Sequence, residues 1–108
     1  MIGQIKESDW KIFKELLGLA QERFCQRALS DIGRTIESAT ETSYEKFYEI
    51  YNLVRHRDKL IAQSLSELRR STATYQLLAM KRLDLVTEEE FARFSDETRG
   101  IINKLLAL

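Results

Sequence analysis

The 108-residue chain predicts an all-α fold, a long antiparallel helical hairpin plus a short C-terminal helical segment, and three observations carry that prediction. First, Phe47, Tyr51, Val54, Asp58, Ile61, Leu65, Leu68, Thr72, Tyr75 and Ala79 recur in alternating steps of four and three. Seven of the ten are large apolar or aromatic residues, and a repeat averaging about 3.5 residues is the seam of a helix packed lengthwise on other helices. Second, the chain has no proline, and two threonine-to-glutamate capping boxes each precede an apolar-periodic run. Third, 44% apolar and 31% charged residues suit a folded chain and argue against disorder. The length fits one domain, residues 1–108.

The first helix is expected to start at Ser8, whose hydroxyl can cap the free amides of the first turn, with Asp9 favourable at the positive end of the helix dipole. Trp10, Phe13, Leu17, Ala20, Phe24 and Ala28 follow at helical spacing. Gly18 and Gly33 lie off that stripe, and each costs about 1 kcal/mol relative to alanine. Ile32, Ile36 and Ala39 still call for burial, so the helix is expected to continue to about Ala39.

Ala39–Ser43 is a short polar connection, and Thr42 with Glu45 forms the capping box of the second helix. That helix is predicted to run unbroken from Ser43 to about Arg82, because no glycine or proline interrupts it. Its length would then be about 60 Å, too long for a compact monomer of this size. Thr87 and Glu90 form the second box, with Val86 placed to staple onto Phe91. Ser95, Asp96 and Glu97 mark a further start before Ile101, Ile102, Leu105, Leu106 and Leu108. Thr87–Leu108 therefore reads as one helix bent or broken near Ser95, folding back on the end of the long helix.

The net charge is zero, so the molecule as a whole is not a polycation built for nucleic acid or an anionic membrane. Apolar runs of a few residues fall far short of the roughly 18 that span a bilayer. The first ten residues lack the pattern of a secretory signal, and one cysteine forms no internal disulfide, so a reducing cytoplasm is the expected location.

No motif carries chemistry. Arg55-His56-Arg57-Asp58 contains the His-Arg-Asp of kinase catalytic loops, but Gln63 stands where the asparagine should, inside a helix. His56 has no second ligand at helical spacing and is expected to be solvated. Cys25, beside the first-helix stripe, is expected to be a buried or half-buried structural thiol. Tyr44, Tyr48, Tyr51 and Tyr75 are expected in the core or an interface rather than stacked on bases. No catalytic residues, metal or cofactor are expected, and an enzyme ranks last among the functional classes.

Asp58 is the informative exception, since a lone carboxylate in a seam is costly unless paired. Arg27, or Arg55 or Arg57 of a second subunit, is the expected partner, and such a residue can fix register or oligomeric state. The basic excess is concentrated in residues 55–82, with seven basic residues against two acidic. Residues 1–54 carry seven against nine and residues 83–108 three against six, so acidic segments of this chain or of a second subunit can neutralise the excess.

The expected function is that of a small cytoplasmic protein-interaction or regulatory module, a homodimer whose interface includes Tyr51, Asp58, Ile61, Leu65 and Leu68, with an unidentified protein partner as a further possibility. The alternative is nucleic-acid binding through Arg55, Lys59, Arg70 and Lys81 on the outer face.

Overall fold

A computed structural model describes residues 4–108, which fold into five α-helices, and no strand is present among the described residues. Helix α1 spans Glu7–Ile36, α2 Ser43–Ser64, α3 Ala73–Arg82, α4 Glu88–Phe91 and α5 Asp96–Leu106. A single 3-10 turn, Arg70–Thr72, leads into α3.

Helix α1 is the axis of the molecule. Its N-terminal part carries Phe13, Leu16, Leu17, Ala20 and Phe24 into a core shared with Leu65, Leu77, Met80, Leu85, Phe91, Phe94 and Ile102. This is the head of the molecule. The C-terminal part of α1 runs on beyond it and pairs antiparallel with α2, forming an arm. Lys46 donates from Nζ to the Ile36 carbonyl at 2.7 Å near the tip, and Gln21 donates from Nε2 to the Leu65 carbonyl at 2.6 Å near the root. The radius of gyration, 16.7 Å, exceeds the about 13 Å of a compact chain this long, and the longest extent is 51 Å.

The unbroken helix from Ser43 to Arg82 does not form. The chain leaves α2 at Ser64, turns through Leu65–Arg69 and starts again. Side chains satisfy the carbonyls that the break frees. Gln21 takes that of Leu65, and the buried Gln76 donates from Nε2 to Ser64 at 3.3 Å and Glu67 at 2.7 Å. A straight rod would carry Leu77, Leu78 and Met80 past the head, whereas the turn folds them onto α1 and α5. Burial of about 1.5–3 kcal/mol per large apolar side chain outweighs the hydrogen bonds lost at the break.

Both capping boxes form as expected. Thr42 Oγ1 accepts from Glu45 N–H at 3.1 Å and Glu45 accepts from Thr42 N–H at 2.9 Å; Thr87 and Glu90 repeat the pattern at the same two distances. Ser95 caps α5, so the C-terminal segment is two helices, α4 and α5, joined through residues 92–95.

The start of α1 differs from expectation. Lys6 is its N-cap, with no side-chain hydrogen bond, and Ser8 lies inside the helix. Asp9 does not simply face the helix dipole. It is buried and accepts from Ser95 N–H at 2.9 Å, Ser95 Oγ at 2.6 Å and Thr98 Oγ1 at 2.7 Å, tying the first helix to the last. Burial pushes the Asp9 carboxyl up, but these hydrogen bonds together outweigh it and hold the group below its ordinary value. At the other end α1 stops at Ile36, before Ala39, and leaves Ile36 exposed.

Helix α3 closes with a left-handed residue. Asp84, φ 56°, follows Leu83, and the bonds Leu85 N–H to Met80 O at 2.9 Å and Asp84 N–H to Lys81 O at 3.1 Å complete a Schellman motif. Arg27 donates to the carbonyls of Leu83, at 2.7 Å, and Asp84, so it serves this turn rather than Asp58.

Candidate interaction surface on the helical arm

Helix α2 is the least covered element of its length. None of its 22 residues is buried. The side facing α1 is made by Lys46, Ile50, Leu53, Arg57 and Leu60, all half-buried. That stripe is not the seam. The seam residues of the arm point away from α1, with Phe47 65%, Tyr51 52% and Val54 49% exposed. Tyr44 and Tyr48 extend the patch, their rings 5.0 Å apart, and the Phe47 ring meets that of Tyr48 edge-on at 5.3 Å.

The expected interface residues separate into two groups. Tyr51 and Asp58 are exposed on the arm. Leu65 is fully buried in the core of its own chain and Ile61 is half-buried against it, so intramolecular packing fills Leu65, leaving it no surface for a second molecule. Leu68 is 59% exposed, but it lies beyond the end of α2 and off the helical stripe. Tyr44, Phe47, Tyr48 and Val54 lie exposed beside Tyr51 on the arm; the seam repeat already contained Phe47 and Val54.

Asp58 makes no ion pair or hydrogen bond to any other described residue. Of the arginines expected to meet it, Arg27 and Arg57 are held within the chain, while Arg55 is exposed and carries no ion pair among the described residues. Arg57 binds Asp31 at 3.0 Å, and Arg34 binds the same carboxylate. Beside them a polar groove of about 460 Å³ runs between α1 and α2, lined in part by Asp31, Arg34, Thr35, Glu41, Glu49 and Arg57. The neighbouring Glu49 carboxylate pushes the Glu41 carboxyl up, and Glu41 Oε2 is buried with no hydrogen-bond partner. Opposite charges neutralise the rest of the groove.

Two of the four basic residues expected to form a nucleic-acid face are paired within the chain. Arg70 donates to the Ile5 carbonyl at 3.0 and 2.8 Å and to Glu7 at 2.8 Å. Lys81 is 2.6 Å from Glu88 Oε1, and its Nζ sits 4.5 Å above the centre of the Phe91 ring. Of the four, only Arg55 and Lys59, exposed on α2, carry no ion pair among the described residues. Acidic groups of the same chain thus neutralise part of the basic excess.

His56 is exposed on α2, away from α1, as its position in the repeat predicts. Cys25 is exposed rather than buried, because Phe24 and Ala28 take the inward positions of that turn. Among the described residues no group of three His, Cys, Asp or Glu side chains could hold a metal ion, and no helix is long and apolar enough to cross a membrane.

Comparison with protein-family models, with curated proteins and with solved structures finds no match. The surface is therefore interpreted from its own chemistry.

Proposed function

We propose that this chain is a protein-interaction module that works as a homodimer through the outward face of α2. The observation that carries the proposal is a 22-residue helix with no buried residue, whose apolar repeat faces solvent. The five side chains Tyr44, Phe47, Tyr48, Tyr51 and Val54 expose roughly 550 Å² when aromatic side chains are counted at about 200 Å² each. That is near the upper end of the patches monomers carry and about two-thirds of the about 800 Å² per partner of a standard interface. The lone surface thiol fits a reducing compartment such as the cytoplasm. The module acts by binding rather than by catalysis.

Nucleic-acid binding has less support, since Arg70 and Lys81 already serve carboxylates of this chain. DNA and RNA titrations at two salt concentrations separate the readings, because phosphate neutralisation makes affinity fall steeply with salt. Light scattering at tens of micromolar tests the dimer directly. A mass twice 12.7 kDa is expected, Phe47→Lys should return it to 12.7 kDa with the helical signal intact, and a wild-type mass of 12.7 kDa would refute the proposal.

A further inference from the structure

The exposed seam of α2 is symmetric about one residue. Tyr44 stands one heptad before Tyr51 and Asp58 one heptad after it, so the three lie along one line of the helix, with Phe47 and Val54 on the adjoining line. Neither the Tyr44 hydroxyl nor the Asp58 carboxylate has a hydrogen-bond partner among the described residues, and both are exposed. The flanks are also ordered. Glu45 is exposed at the N-terminal end of the face and Arg55 and Lys59 at the C-terminal end, while Lys46 and Arg57 turn inward to Ile36 and Asp31.

On these grounds we infer that α2 pairs antiparallel with α2 of a second copy, about a twofold axis at Tyr51, with Tyr44 of each chain donating its phenol to Asp58 of the other. The inference rests on the homodimer proposed above and specifies its register. A twofold axis at Tyr51 brings Tyr51 onto its own symmetry mate, packs Phe47 against Val54 and sets Lys59 near Glu45, every contact occurring twice as an isologous interface requires. A parallel pairing in register would oppose Asp58 to Asp58 inside the seam and like charges along both flanks, which costs free energy at each position. The antiparallel arrangement gives the one charged seam residue a hydrogen-bond donor and places acidic ends against basic ends.

The test uses the full chain in a Cys25→Ser background. Tyr51→Cys should form a disulfide-linked dimer under mild oxidation. Tyr44→Cys and Asp58→Cys should cross-link when mixed, and neither alone. Without added cysteines, Tyr44→Phe and Asp58→Asn should each weaken dimerisation about a hundredfold by sedimentation equilibrium, since each removes two symmetry-related hydrogen bonds to a charged group at about tenfold apiece, and the double variant no more than the worse single one. These side chains are exposed in the isolated chain, so helicity should be unchanged. A wild-type dimer that fails to cross-link through Tyr51→Cys, or in which the two substitutions add independently, overturns the register and leaves the homodimer standing. A wild-type chain that stays monomeric at the tens of micromolar used for light scattering overturns both.

Discussion

Glu90→Gln removes one charge from a site where each partner is fixed. Glu90 binds Arg23 through both oxygens at 2.7 and 2.8 Å and accepts the Thr87 N–H at 2.9 Å. The hydrogen bond from Arg23 is the main cause, and despite burial it holds the Glu90 carboxyl at about 2, against an ordinary value of 4.5. That drop corresponds at face value to about 3.4 kcal/mol. The pair stands at the rim of the head, with the Arg23 side chain 31% and the Glu90 side chain 18% exposed, so water screens it and about 1–2 kcal/mol is expected. Glutamine keeps an oxygen for the Thr87 cap and loses only the charge. Because the folded-state value is depressed, the contribution is complete above pH 4.5 and is lost as the pH falls through about 2. Thermal melts followed by circular dichroism should therefore show the variant less stable at pH 7, by about 4–12 °C in thermal midpoint. The gap should close between pH 4.5 and 2. A gap that stays constant from neutral pH down to about pH 2.5 would refute the electrostatic origin, since only a steric or packing loss ignores the protonation of Glu90.

Four further outcomes follow from described positions. Leu65→Ala should cost about 2–5 kcal/mol in denaturant unfolding, without concentration dependence of that loss, because the cavity opens inside the head of each chain. Glu41→Gln should raise the thermal midpoint at pH 7.5, and the gain should vanish near pH 4, where the protonated carboxyl replaces the amide; the raised pKa makes Glu41 a cost only as pH rises. Asp84→Gly should raise stability by about 0.5 kcal/mol in urea melts by relieving the left-handed backbone at the end of α3. Gly18→Ala should add about 1 kcal/mol by the same measurement, since a Cβ there meets no atom within 4 Å on an exposed helix face.

Features set by neighbouring residues were legible in the sequence. The caps at Thr42 and Thr87 and the start at Ser95 depend on side chains within three positions of the amides they serve, so reading the chain locally finds them. The break after Ser64 was not legible, because two of the groups that satisfy its carbonyls are Gln21, 44 positions upstream of Leu65, and Gln76, beyond the turn. Nothing local distinguishes Leu65–Arg69 from helix. Asp9 misled for a related reason, as its partners lie 86 and 89 positions away. The seam repeat was visible, but periodicity alone does not say which stripe of α2 faces α1. The partly buried side is made by Ile50, Leu53 and Leu60, and the more aromatic stripe faces water.

The Asp9 tie also has a consequence for the order in which the molecule is assembled during synthesis. The head is stitched across 86 and 89 positions of sequence, and Asp9 cannot fasten until Ser95 and Thr98 have left the ribosome. The arm needs only residues up to Ser64, joined by a short connection, and short-range contacts form early. A nascent chain should thus present its Tyr44–Asp58 face before its own head has closed.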